Sequence, residues 1–211
     1  MTISRGGSVP SAAKTWVHPK LGRFRCQGDA WGALCRFTSF MPFGYRESGR
    51  PVRRAWIPLE FETDFEESPP SPTAVAIATR LFENQSSLAD KLLKAMWLDL
   101  QGRGPHSGMW WHGDLCAVRE RLPARFEKRH PSFPVSPADL RTALGVRFIE
   151  ILKLRFDDTR PVAKIVLFAA YEREHGVAVL TDGKTILGIG YQSDTGFFRK
   201  PRKKKPGGTP G

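Results

Sequence analysis

The chain has 211 residues, with 33 Lys and Arg against 21 Asp and Glu, giving a formal net charge of +12 at pH 7. Its 40% hydrophobic and 26% charged residues are globular proportions, which exclude disorder throughout and collagen-like repeats. No run approaches about 18 apolar residues, so no transmembrane helix is predicted, and the length is enough to bury a substantial core.

Cys26, Cys35 and Cys116 show no CxxC spacing, which argues against a disulfide scaffold or a zinc finger. The opening segment lacks an apolar signal-peptide core, so a cytoplasmic location is the expectation. Residues 1–15 are rich in Ser, Gly and Ala and read as a loose arm. One domain is expected over 16–198.

Strands come first. Leu21–Cys26 alternates with period two, and a turn at Gln27–Asp29 leads to a second strand over Trp31–Phe37. A long loop through Met41–Gly44 to Gly49 separates it from a third, Pro51–Glu62, in which Pro58 suggests an edge position or a bulge. The acidic run Glu60, Glu62, Asp64, Glu66 and Glu67 alternates with Leu59, Phe61 and Phe65 and reads as a solvated strand face.

The Pro-rich stretch 68–72 marks a change to helical period. Ala74, Ile77, Ala78, Leu81 and Phe82 form one apolar stripe, and Leu88, Leu92, Ala95, Met96 and Leu100 form another. Ser87 with Asp90 reads as a capping box for the second helix, completing an αα-hairpin. Residues 101–113 read as a loop, 114–129 as a helix kinked or split by Pro123, and Ser136–Asp139 as a short helix start with Pro at its first position.

Strands then return over Val146–Leu154 and over Ala163–Ala170. The second of these is nearly continuously apolar and is predicted to be central and buried on both faces. Asp182-Gly183, between Val177–Leu180 and Thr185–Ile189, is the clearest hairpin signal. The predicted class is α+β: a single antiparallel sheet of about six to seven strands, with the αα-hairpin and one or two short helices on one face. Residues 199–211 hold Arg199, Lys200, Arg202, Lys203, Lys204 and Lys205, half of the net charge. They are expected to form a disordered tail capable of weak, nonspecific nucleic-acid contact.

Candidate chemistry is sparse. His106, His112, Asp114 and Cys116 lie close together beside Trp110 and Trp111, yet their spacing matches no ligand or nucleophile pattern. Trp110, Trp111 and His112 read instead as a cover over apolar surface or an exposed anchor for a protein partner. Glu172, Glu174, His175 and Gly176 form the most distinctive polar cluster. Acid–base work would need them in one pocket, whereas the simpler reading is a polar turn between strands. No catalytic residue, metal site or cofactor is assigned.

The segment Tyr171–Gly190 resembles the C-terminal signature of an uncharacterised bacterial domain family: an aromatic residue, an acidic cluster, His-Gly, and two apolar strands around a Gly turn. The segment His18–Phe24, the strand before the Pro hinge, the helix opening at Pro72-Thr73 and the strand near Val146 are similar to it in arrangement. The resemblance implies a small protein, in some members of an immunity-protein-like kind, without established catalytic residues. The functional expectation is a non-enzymatic domain that binds another protein. A nucleic-acid-associated protein using the basic tail is the alternative, and an enzyme of unknown type the second.

Overall fold

A computed structural model of the protein describes residues 14–46, 55–62, 68–152 and 162–198. The basic tail 199–211, Asp64, Glu66 and Glu67 lie outside these described residues. Eight strands form one sheet in sequence order. The first four, β1 (Thr15–His18), β2 (Gly22–Gln27), β3 (Ala30–Arg36) and β4 (Trp56–Glu62), make an antiparallel meander. A second antiparallel meander comprises β5 (Leu144–Leu152), β6 (Val162–Ala169), β7 (Glu172–Thr181) and β8 (Ile186–Tyr191).

The two meanders meet in a parallel pair, with Leu59 opposite Ile149 and Phe61 opposite Ile151. The sheet is therefore mixed, a correction to the wholly antiparallel sheet expected from sequence. The physical reason is the connection. A helical crossover joins β4 to β5, and such an excursion carries the chain back to re-enter in the same direction. The eighth strand is β1, four residues too short to stand out beside the stronger Leu21–Cys26 pattern. Pro58 sits in an interior strand, not at an edge. Phe37 donates its N–H to Ala55 O at 2.6 Å, so the Leu34–Pro58 pair falls in the alternate, non-bonded set. The nitrogen of Pro58 thus points toward β5, whose pairing begins only at Leu59.

The crossover holds α1 (Pro72–Glu83), α2 (Gln85–Leu100), α3 (Leu115–Glu120), α4 (Ala124–Arg129) and α5 (Leu140–Ala143). Ser71 caps α1 by accepting the Ala74 N–H at 3.2 Å, with Pro72 at the first helical position. The expected Ser87–Asp90 capping box does not form. A single residue, Asn84, links α1 to α2, and Ser87 lies inside α2 donating to the Asn84 carbonyl at 3.2 Å. Pro123 does split the third helical segment, and Asp114 caps α3 through the Ala117 N–H at 2.9 Å.

Alternation along the strands decides what the helices cover. Ala33, Leu59, Ile149, Ile165, Val179 and Ile189 stand in one row of cross-strand partners. They pack with Ile77, Leu81, Leu88, Leu92, Met96, Val118, Phe126 and Leu140 in one core. Val166, Ala178 and Leu180 face the other way, and they are buried outside that core.

Candidate functional site

Asp99 closes the last turn of α2 and is 1% exposed. A carboxylate is disfavoured at a helix C-terminus, and here three donors compensate it. Ser107 Oγ and Trp111 Nε1 donate to Oδ2 at 3.0 and 2.8 Å, while His112 Nδ1 meets Oδ1 at 2.6 Å. The Asp99 carbonyl also accepts the Gly102 and Gly113 N–H groups at 3.0 and 2.9 Å. Gly102 and Gly113 have φ of +66° and +76° and pack backbone to backbone, where a Cβ on Gly102 would meet Gly113 Cα at 3.0 Å. Loop 101–113 is therefore a closed loop pinned at its base by one buried acid.

The same loop reaches the polar cluster of β7. Trp110 Nε1 donates to Glu172 Oε2 at 2.8 Å, with the Arg121 guanidinium 3.9 Å above the indole. Glu172 Oε1 accepts the His175 N–H at 3.1 Å and lies 3.3 Å from its Nδ1. Burial pushes the Glu172 carboxyl up. The hydrogen bonds from Trp110 and His175 outweigh it and hold this acid below the usual carboxylate range. Trp111 packs edge-on against Tyr171 and Tyr191, at ring distances of 5.8 and 5.5 Å. Burial, and then the carboxylates of Asp99 and Glu172, raise the Tyr171 hydroxyl well above its ordinary range.

The structure thus brings the two clusters singled out from sequence into one network, and it corrects the role of each. Trp111 is fully buried and cannot anchor a partner; it is the largest fully buried side chain among the described residues. Trp110 and His112 are half-buried around it. Glu172 is no turn residue but opens β7, after a tight turn at Ala170-Tyr171. Glu174 and His175 follow in the strand, and Gly176 supplies a positive φ of +66°. The cleft beside Glu172, Glu174 and His175 holds about 60 Å³, room for a water or two and not for a substrate. Asp114 is spent as a helix cap, Cys116 is exposed, and His106 stacks on His112 at 4.0 Å. Among the described residues no three His, Cys, Asp or Glu side chains gather as a metal-binding group. The arrangement is a buttress that fixes the loop to the second meander.

The other face of the sheet is different in kind. One row of cross-strand partners runs Thr15, Arg25, Gly32, Glu60, Glu150, Lys164, Leu180 and Gly188 across all eight strands. Over β7 and β8 it is covered, since a Cβ on Gly190 would meet Thr195 Cα at 3.1 Å and one on Gly188 would run into the Gly196 carbonyl. In the middle, Lys164 Nζ pairs with Glu150 Oε2 at 2.7 Å. Burial, and then the neighbouring Glu150, raise the Glu60 carboxyl. Over β1–β4 the face is open. Val17 and Leu34 are each 62% exposed and Trp56 is 58% exposed.

Arginines interleave with these apolar groups. Val17 stands opposite Arg23, Thr15 opposite Arg25, and Trp56 opposite Arg36, and all three arginines are exposed. Beyond β4, the Arg147 guanidinium lies 5.7 Å from the Phe148 ring and 5.6 Å from that of Phe168, and Arg46 lies 5.0 Å from the latter. The signal for this surface was in the sequence: Arg23, Arg25, Leu34 and Arg36 occupy the positions that alternate with Phe24 and Cys35.

Comparison with protein-family models, with curated proteins and with solved structures finds no match to this chain. Among the described residues no helix is long and apolar enough to cross a membrane.

Proposed function

We propose that the protein is a binding module whose partner docks on the open face of β1–β4. The observation that supports this reading is the exposure of Val17, Leu34 and Trp56 on one sheet face. Exposed apolar side chains gathered on one face mark interaction surfaces. Trp and Arg are the residue types that dominate binding energy at such surfaces, and here Trp56 pairs with Arg36. The expected protein partner, in the immunity-type role that the resemblance of 171–190 implies, is one form of this reading. In that form the Asp99 and Glu172 network holds the scaffold rigid while the open face does the recognition.

Site-specific photo-cross-linking tests it. A photoreactive residue at Leu34 is compared, in the native host, with one at Val135, an exposed apolar position that is 66% exposed and away from the sheet face. High-mass adducts from position 34 alone are expected. No adduct from position 34, or equal adducts from both, removes the reading.

A further inference from the structure

Resting on that reading, we propose that the partner on the open face of β1–β4 is a single-stranded nucleic acid, bound through guanidinium–phosphate contacts and base stacking on Trp56. The first support is the sign of the charge. The open-face positions of β1–β3 hold Arg23, Arg25 and Arg36 and no acid, within a chain of net charge +12. The acids of the wider face lie on β4 and β5: Glu60 and Glu62 stand opposite Gly32 and Ala30, and Glu150 is paired with Lys164 at 2.7 Å.

The second support is the interleaving. Protein interfaces concentrate apolar groups centrally and place charges of both signs on a rim. Here two of the three exposed apolar groups have a cation as cross-strand partner, Val17 facing Arg23 and Trp56 facing Arg36, while Leu34 faces Pro58. A single strand presents that alternation, since each base offers a flat face and each linkage a phosphate, and sequence-tolerant binders answer it with aromatic platforms in a cationic groove. Arginine suits the task better than lysine, because its planar fork pairs with phosphate oxygens and also stacks. Gly32, between Arg25 and Glu60, has only Glu60 Cγ near its missing Cβ, at 3.8 Å, so the strand can approach the backbone closely there. At ~4.8 Å per strand the face from β1 to β5 is about 20 Å wide. It is a shallow platform, unable to enter a duplex groove, whose bases are in any case already stacked.

The test uses the full chain and a second full-length form in which Arg199, Lys200, Arg202, Lys203, Lys204 and Lys205 are all changed to Gln, so that the tail cannot carry the binding. Each is titrated into fluorescently labelled oligo-dT and oligo-rU of about 20 nucleotides, and into a duplex of equal length, over a series of salt concentrations. The tail-neutral form is expected to bind both single strands more tightly than the duplex. Trp56→Ala weakens that binding about tenfold and Trp56→Phe restores most of it. Each of Arg25→Ala and Arg36→Ala flattens the log–log salt slope by roughly 0.7. These are exposed positions, and unchanged thermal melts verify that the variants fold.

Retention by the duplex alone, indifference to Trp56→Ala, or loss of all binding in the tail-neutral form overturns the proposal. Failure here is separable from failure of the face itself. Adducts at position 34 that resist nuclease and yield to protease, with no oligonucleotide binding, sink the nucleic acid and leave the docking face standing with a protein on it.

Discussion

The two halves of the sheet are built from the same unit, a four-strand meander, and differ in how many layers surround them. Around β6 and β7 both faces are closed: Ile165, Val166 and Leu167 are consecutive and all buried. The helical layer lies on one side, and on the other the chain after β8 folds back over Gly188 and Gly190. In β4 the pattern is strict alternation, with Ile57, Leu59 and Phe61 buried and Trp56, Pro58, Glu60 and Glu62 not. The second half is thus the middle of three layers, and the first half is the lower of two. Stability needs only the helix-facing side of the first meander, so its outer side is available for a partner. The same difference appears in the polar groups, since Asp99 ties the Trp loop to the end of α2 and Glu172 ties it to β7 in the second half.

If that division is correct, substitutions should be expensive in the covered half and tolerated on the open face of the other. The largest effect is expected for Asp99→Ala. It strips the acceptor from Trp111 Nε1, Ser107 Oγ and His112 Nδ1 at once and should cost about 3–5 kcal/mol in a denaturant titration. A cost below about 1 kcal/mol would show that the loop is not held by this acid. Next in size is a pair of glycines on one cross-strand row, one in each half of the sheet. Gly188→Ala drives a methyl into the Gly196 carbonyl and should destabilise by about 2–3 kcal/mol. Gly32→Ala meets almost nothing and should be neutral or stabilise by up to about 0.5 kcal/mol. Equal costs would break the comparison.

The fold was legible where pattern and layer agree. The run at 163–170 reads as a doubly buried strand because six of its eight residues are buried, and the stripes of α1 and α2 read as helices because one face meets the sheet. Pro123 and Asp182-Gly183 act through local backbone chemistry and so appear in sequence directly. The parallel β4–β5 pair is invisible, because strand direction depends on where an 81-residue crossover ends and not on any residue within the strands. Residue type alone placed Trp111 either in the core or at a surface, and only the position of Asp99 decides between them. A signal was present, since Asp99 continues the Leu92 and Met96 stripe at helical spacing. An acid on a core stripe needs donors, and the polar loop that follows supplies them in Ser107, Trp111 and His112. The open face is illegible for the opposite reason: alternation assigns its residues to strands, and an outward side looks the same in sequence whether solvent or a partner covers it.

Smaller effects sharpen the contrast further. Glu172 is held below the usual range in the folded state, so it contributes stability that is complete above its ordinary value of 4.5 and is lost as the pH falls through the lower folded value. Glu172→Gln should cost on the order of 1–2 kcal/mol at pH 7. It should also flatten the loss of stability with acid below about pH 4.5. An unchanged acid profile would mean that the Trp110 and His175 contacts do not hold the charged form.

The smallest perturbation makes the most direct test of one-sidedness, because Leu34 and Cys35 are adjacent and face opposite ways. Cys35 is buried, donates to the Leu21 carbonyl at 3.1 Å, and has its thiol pushed up by burial to about 12. At pH 8 only about one in ten thousand such thiols is ionised, and only the thiolate reacts. In a chain carrying Cys26→Ser and Cys116→Ser, iodoacetamide should leave Cys35 intact while the thiol introduced by Leu34→Cys is alkylated at the rate of a free peptide. Mass spectrometry of the intact chain reads both. Protection at position 34 equal to that at position 35 would mean that the face is closed, and the first meander would then be a middle layer like the second. Fast alkylation at 34 that slows when the labelled single strand is added would place the ligand over position 34, with a change confined to one exposed side chain.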